Sequence, residues 1–79
     1  MTTTPYIGRT VIARVTSVEV YGVYLDHDNS AIVVLIPDVS YDPVPDLKER
    51  YHVGDLVPVR VLSYVEERGL FKGSIRDAQ

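Results

Sequence analysis

The chain has 79 residues, about half the length of an average domain, so it has room for one small domain with a thin core. Apolar residues make up 46% of it and cysteines are absent, which favours a folded protein and excludes disulfides and cysteine-ligated metals. The net charge is −3, and residues 26–55 carry seven acids and two bases, so we expect few phosphate contacts from that segment.

The first predicted element is a long bulged strand, residues 11–20. Fourteen valines and six tyrosines in the chain favour strands over helices. Apolar side chains alternate with polar ones up to Val15 and again from Val18, so the two-residue repeat changes phase near Thr16 and Ser17. Such a change indicates a β-bulge, which bends a strand so that it can serve two sides of a barrel.

A hairpin is predicted next. Residues 21–25 form its first strand, and the turn-forming residues 26–30 form its loop. Residues 31–36 are apolar on both faces and form the third strand, which Pro37 ends because proline lacks a backbone donor.

A long connection follows over residues 37–53. It contains Pro43 and Pro45, it is rich in acids, and we expect a helical turn at residues 46–50. This composition predicts a solvated crossover.

The fourth and fifth strands complete the chain. Residues 56–64 form strand four, whose alternate valines face inward while Pro58 and Arg60 face outward. Residues 70–75 form strand five, with Phe71 and Ile75 facing inward. Leu70, Lys72, Ser74 and Arg76 are expected to face outward.

Five strands, a bulge in the first and a long strand 3 to strand 4 connection predict an all-β fold, a five-stranded OB-fold barrel. An SH3-like barrel is the alternative. A β-sandwich would need more strands than 79 residues supply.

Four segments also carry a resemblance to a known family. They are Gly8-x-x-Val11-x-x-x-Val15-x-x-Val18-x-x-Tyr21-Gly22-x-Tyr24-Leu25, Ile36-Pro37-Asp38-Val39-Ser40, Val53-Gly54-Asp55-x-Val57-x-Val59-x-Val61-Leu62 and Lys72-Gly73-Ser74-Ile75-Arg76. In this order they resemble the S1 RNA-binding domain. The resemblance divides the chain into a flexible N-terminal segment (1–7), an S1-like OB-fold domain (8–76) and a C-terminal tail (77–79).

The resemblance implies a face that stacks aromatic rings on the bases of single-stranded RNA. Tyr21 and Tyr24 occupy the two aromatic positions of the family, and we expect a bulge at Gly22 to turn both outward. The alternative is that one of them is a core tyrosine. Arg14 and Lys72 are expected near phosphates, in a module for RNA metabolism or translation that binds weakly and with little sequence preference.

Three positions of this face depart from the family pattern. Leu35 stands where the family often has His, Val65 where it has an acid, and Leu70 where it has Arg. Leu35 is kept among the predicted RNA-binding residues because aliphatic groups also pack against bases. With Val33 it alternatively forms an apolar patch for a protein partner.

No catalytic, cofactor or metal site is predicted. Asp26-His27-Asp28 reads as a solvated turn, His52 has no partner at metal-ligand spacing, and the glycines are scattered singly. The longest apolar run, residues 31–36, is far shorter than the ~20 residues of a membrane helix, and the first residues lack the regions of a signal peptide. We therefore expect a cytoplasmic, non-enzymatic protein that contacts no membrane. Single-stranded RNA is the favoured partner, and a protein or a larger ribonucleoprotein assembly is the alternative.

Overall fold

Five strands form a closed barrel in the computed structural model, which describes residues 7–40 and 46–78. The elements are β1 (Thr10–Glu19), β2 (Gly22–His27), β3 (Ser30–Leu35), α1 (Ile36–Val39), α2 (Leu47–Arg50), β4 (Leu56–Val65), β5 (Leu70–Ser74) and a final 3₁₀ turn (Arg76–Ala78). The strand order is β1-β2-β3-β5-β4, in which β3 and β5 are parallel and the other pairs antiparallel. The predicted five-stranded OB-fold barrel with a long connection between β3 and β4 is confirmed.

The bulge in β1 lies at the predicted place. Val15 pairs with Leu25, but the next pair is Ser17 with Tyr24, so Thr16 is the extra residue. The Thr16 hydroxyl donates a hydrogen bond to the Tyr24 carbonyl oxygen at 3.2 Å. The bulge lets β1 pair with β4 along its first half and with β2 along its second, which closes the barrel.

The β2–β3 turn is shorter than the predicted loop of residues 26–30. Pairing continues to His27 and Ser30, which leaves only Asp28 and Asn29 as the turn. Both have positive φ, 52° and 66°, as a type I′ turn requires. Their short polar side chains tolerate this conformation, so two residues are enough for the turn and strand pairing extends to His27 and Ser30.

The core combines inward side chains from all five strands with three from the connection. In β4, Val57, Val59 and Val61 face inward as predicted. The connection was predicted to be solvated, but it is partly buried, because both short helices contribute core side chains. Residues 41–45, which include Pro43 and Pro45, lie outside the described residues. The core residues from the connection are Val39, Leu47 and Tyr51.

The predicted helical turn near residues 46–50 is α2. The Asp46 carboxylate accepts a hydrogen bond from the Lys48 backbone N–H at 3.0 Å and caps the first turn. Leu47 then points into the core. No helix among residues 7–40 and 46–78 is long and apolar enough to cross a membrane.

Ser74 faces outward as predicted, because it pairs with the exposed Arg60 of β4, but it is not exposed itself. Its side chain is fully buried, donates a hydrogen bond to the Asp38 carbonyl oxygen at 3.2 Å and accepts one from the Asp77 N–H at 2.9 Å. Arg76 donates to the Pro37 carbonyl oxygen at 3.0 Å. The outer face of β5 is buried at Ser74 because α1 covers the end of the strand.

The two predicted terminal segments are only partly described. Residues 1–6 and 79 lie outside the described residues, and Ile7 is about half exposed. Asp77 and Ala78, from the predicted tail, belong to the final 3₁₀ turn.

Candidate functional site

A shallow groove of about 270 Å³ crosses the outer face of β2, β3 and β5. Its lining combines two tyrosines, four aliphatic side chains and two cations, and we refer to it as the aromatic groove. The lining residues are Tyr21, Tyr24, Val33, Leu35, Val65, Arg68, Leu70 and Lys72.

Strand pairing brings the centre of the groove together. Tyr24 pairs with Val33 across β2 and β3, and Val33 pairs with Lys72 across β3 and β5. Because side chains alternate along a strand, the outward Val33 and Leu35 line the groove while Ile32 and Val34 enter the core. This explains why β3 is apolar on both faces.

Gly22 is required at the groove for a reason other than the predicted bulge. The β1–β2 register runs without interruption from Val18 to Glu19, so the predicted bulge at Gly22 is wrong. A Cβ atom at Gly22 would lie 2.6 Å from the Val34 carbonyl oxygen, closer than real contacts allow. Tyr21 points outward because it lies in the turn before β2, and Gly22 lets β2 approach β3.

The two tyrosine rings meet edge to face. Their centroids are 6.1 Å apart at an interplanar angle of 88°, and their hydroxyl oxygens are 2.9 Å apart in a hydrogen bond. Tyr21 is 49% exposed and Tyr24 is half-buried, and neither ring belongs to the core cluster. The hydrogen bond with Tyr24 is the main cause that raises the pKa of Tyr21, and the nearby Arg68 charge opposes that rise.

The two cations of the groove come from different elements. Lys72 lies on β5 beside Val33, as the sequence predicted for the outward face. Arg68 lies in the β4–β5 turn, where its backbone N–H donates to the Val65 carbonyl oxygen at 3.2 Å and Gly69 has a φ of +66°. The sequence places Arg68 only in a turn and does not predict it as a groove residue. The available signal was its position two residues before Leu70, which lines the groove.

All three departures from the family pattern lie in this groove. Leu35, Val65 and Leu70 line it together, where the resemblance implied His, an acid and Arg. None of the three side chains has a hydrogen-bond donor or acceptor. The groove therefore meets a ligand through rings, aliphatic groups and the two cations.

Arg14 lies elsewhere, so four of the five predicted RNA-binding residues are brought together and the fifth is not. On β1, Arg14 pairs with Asp26 on one side and with Leu56 on the other. It lines a second depression near the β2–β3 turn, which we refer to as the polar hollow. Its lining residues are Ile12, Arg14, Asp26, His27, Asp28, Asn29 and Leu56.

The polar hollow contains two acids and a histidine, residue types that can bind metal ions. His27 Nδ1 lies 2.9 Å from the Ile12 carbonyl oxygen, a contact that ties the ring to β1. In the part of the chain that the structure describes, no three His, Asp or Glu side chains are placed to hold a metal ion together.

Two comparisons with known proteins, one by sequence and one by structure, point to the same relative. General stress protein 13 of Bacillus subtilis is 36% identical over 75 residues, which cover 92% of this chain and 57% of that protein. The solution structure of GSP13 from Bacillus subtilis is similar with a TM-score of 0.79 at 33% identity, covering 90% of this chain and 55% of that one. This chain thus spans little more than half the length of these relatives.

A more distant likeness concerns the fold alone. A chain in the a/eIF2alpha-aDim2p-rRNA complex from Pyrococcus horikoshii matches with a TM-score of 0.84 at 21% identity, covering 98% of this chain and 48% of that one.

The family model of the S1 RNA binding domain matches residues 4–76, which is nearly the whole chain. On the barrel, the ordered motifs and this match, the chain belongs to the S1 RNA binding domain family.

Proposed function

We propose that this chain binds single-stranded RNA through the aromatic groove, weakly and with little sequence preference. One observation carries the proposal: Tyr21 and Tyr24 share a groove with Arg68 and Lys72 on a barrel of the S1 family. Aromatic rings stack on any base, and cations attract the phosphates that link bases. The combination suits an unpaired strand, whose bases are accessible for stacking.

The charge of the chain supports weak binding. The net charge is −3, and among residues 7–40 and 46–78 two cations line the groove. Each phosphate contact to a single strand contributes about 0.7 to the slope of log affinity against log salt, so two contacts give about 1.4. A much steeper slope would contradict this pair of contacts.

An NMR titration with a short single-stranded RNA tests the proposal directly. We expect amide shifts to concentrate on β2, β3, β5 and the β4–β5 turn. A duplex RNA of equal nucleotide count is the matched control and should produce smaller shifts, because its bases are already stacked. Shifts confined to the polar hollow, or none at all, would refute the assignment.

A second function is favoured by the aliphatic lining. Val33, which is only 9% exposed, and Leu35 line the groove together with Val65 and Leu70, and a protein side chain could pack against these four residues. In that case the partner is a protein or a ribonucleoprotein assembly, or a second copy of this chain. Sedimentation with and without RNA separates the cases: concentration-dependent dimers that RNA leaves intact would favour the protein interface.

A further inference from the structure

We propose that Tyr21 and Tyr24 act together as one aromatic corner that takes a single base, and not as two independent stacking platforms. The proposal rests on the RNA-binding function above and specifies the unit that the groove holds. Beside this corner, Arg68 and Lys72 serve the phosphate of the same nucleotide.

The ring geometry is the first argument. The two planes lie at 88°, so a base parallel to one ring stands perpendicular to the other. Aromatic groups attract each other both when stacked with an offset and when they meet edge to face. One base thus gains a face contact from one tyrosine and an edge contact from the other, while two consecutive bases that stay parallel to each other cannot both stack without moving a ring.

The hydroxyl pair is the second argument, because it ties the ends of the two rings together. Tyr21 and Tyr24 share one hydrogen bond of 2.9 Å between their phenol oxygens. Moving either ring end away would break that bond, so the two rings are held side by side as one unit. Each phenol has a single O–H, so only one hydroxyl hydrogen of the pair remains for a ligand.

The size of the groove is the third argument. Its volume of about 270 Å³ is below the roughly 300–1,000 Å³ of pockets for drug-sized ligands, so the groove suits a small ligand such as one base. Val33, Leu35 and Leu70 border this space without any donor or acceptor. The base is therefore bound through stacking and apolar contact, and its hydrogen-bonding edge makes few specific contacts.

The place of the cations is the fourth argument. Arg68 is close enough to Tyr21 for its charge to act on the phenol, and Lys72 lies on β5 beside Val33. Both cations therefore border the same small groove as the rings. A nucleotide whose base fills the corner places its own phosphate within the field of this pair.

A double-mutant cycle with a short oligouridylate tests the corner. The dissociation constant is measured by fluorescence anisotropy for the unmodified chain, Tyr21→Ala, Tyr24→Ala and the double variant. Each single change should weaken binding by about 5- to 150-fold, the range for one lost stack. The dissociation constant of the double variant should be close to that of the single variant that binds more weakly, because either change already opens the corner.

Two other results have separate meanings. A double-variant loss equal to the product of the two single losses would overturn the corner and leave RNA binding by the groove intact. Failure of the unmodified chain to bind any single-stranded RNA would overturn the proposed function, and the corner with it.

Control variants guard the test against unfolding. Tyr21→Leu and Tyr24→Leu retain apolar bulk but lose the ring. If circular dichroism shows that an alanine variant is unfolded, the same cycle is run with the leucine variants. Tyr64 is a matched tyrosine outside the groove, 42% exposed, and Tyr64→Leu should leave RNA affinity unchanged. A loss at Tyr64 as large as at Tyr21 would refute the assignment to the groove.

Discussion

The aromatic groove and the polar hollow are two depressions on one small barrel, and both contain cations and leucines. In the groove, Arg68 and Lys72 border tyrosines and aliphatic side chains. In the hollow, Arg14 lies among Asp26, Asp28 and other polar residues. Arg14 is also opposite Asp26 in the register of β1 and β2.

The difference shows that the surroundings of a cation decide what it can attract. Carboxylates beside Arg14 offset its charge and repel a phosphate, whereas no acid lines the described groove around Lys72. The groove also offers the flat apolar surface that a base needs. We therefore expect RNA to prefer the groove, and the following changes test this difference.

The largest effect is expected from adding a carboxylate to each site. Leu35→Asp puts a charge into the aliphatic part of the groove, where it loses solvent and repels phosphates, so RNA binding should weaken by about 2 kcal/mol. Leu56→Asp is the matched change in the polar hollow, where Leu56 is 65% exposed, and affinity should hardly change. Anisotropy titrations compare the two, with circular dichroism as the check on folding. Equal losses would remove the distinction between the sites.

A smaller effect is expected from removing one cation at each site. Arg68→Ala should cost about 1 kcal/mol or less and lower the salt slope by about 0.7, the amount for one phosphate contact. Arg14→Ala, the matched change in the hollow, should leave the slope unchanged. Affinities measured over a salt series provide both values. A lower slope for Arg14→Ala alone would place the strand on the hollow.

The smallest effect concerns the hydroxyl pair. The hydrogen bond with Tyr24 raises the pKa of Tyr21 above the ordinary tyrosine value of about 10, which means that folding favours the neutral phenol. The resulting stabilisation is complete below the ordinary value and is lost as pH rises through the folded pKa. Tyr24→Phe removes the partner and should lower the pKa of Tyr21.

The carbon shift of the Tyr21 ring, followed by NMR against pH, measures this change. Tyr64→Phe is the control, because Tyr64 packs against Phe71 and lies outside the groove. If the Tyr21 curve is the same with Phe at position 24, the hydroxyl pair does not hold the two rings together.

Several elements could be predicted because they follow from local pattern. The bulge at Thr16 was visible as a change of phase, since side chains alternate strictly along a strand and an extra residue shifts that alternation. The helical turn at α2 followed from the composition around Asp46. The alternative in which Val33 and Leu35 form an outward apolar patch agrees with their position in the groove.

Other features depend on atoms that are far apart in the chain. Gly22 suggested a bulge, but the atom that excludes a side chain there is the carbonyl oxygen of Val34 on the neighbouring strand. Ser74 faces outward, but α1 covers it and the Asp38 carbonyl oxygen accepts a hydrogen bond from its hydroxyl. Arg68 was missed because a turn sequence does not indicate which groove its side chain borders.

The sequence by itself determined the all-β barrel, the strand faces and the family, because alternation, turn residues and motif order are properties of neighbouring residues. Only the tertiary structure decided which side chains share a site. It joined Lys72 and Arg68 to the tyrosines, sent Arg14 to another depression and set the two rings at right angles. These relations arise when separate strands are brought into register, and no single stretch of sequence specifies them.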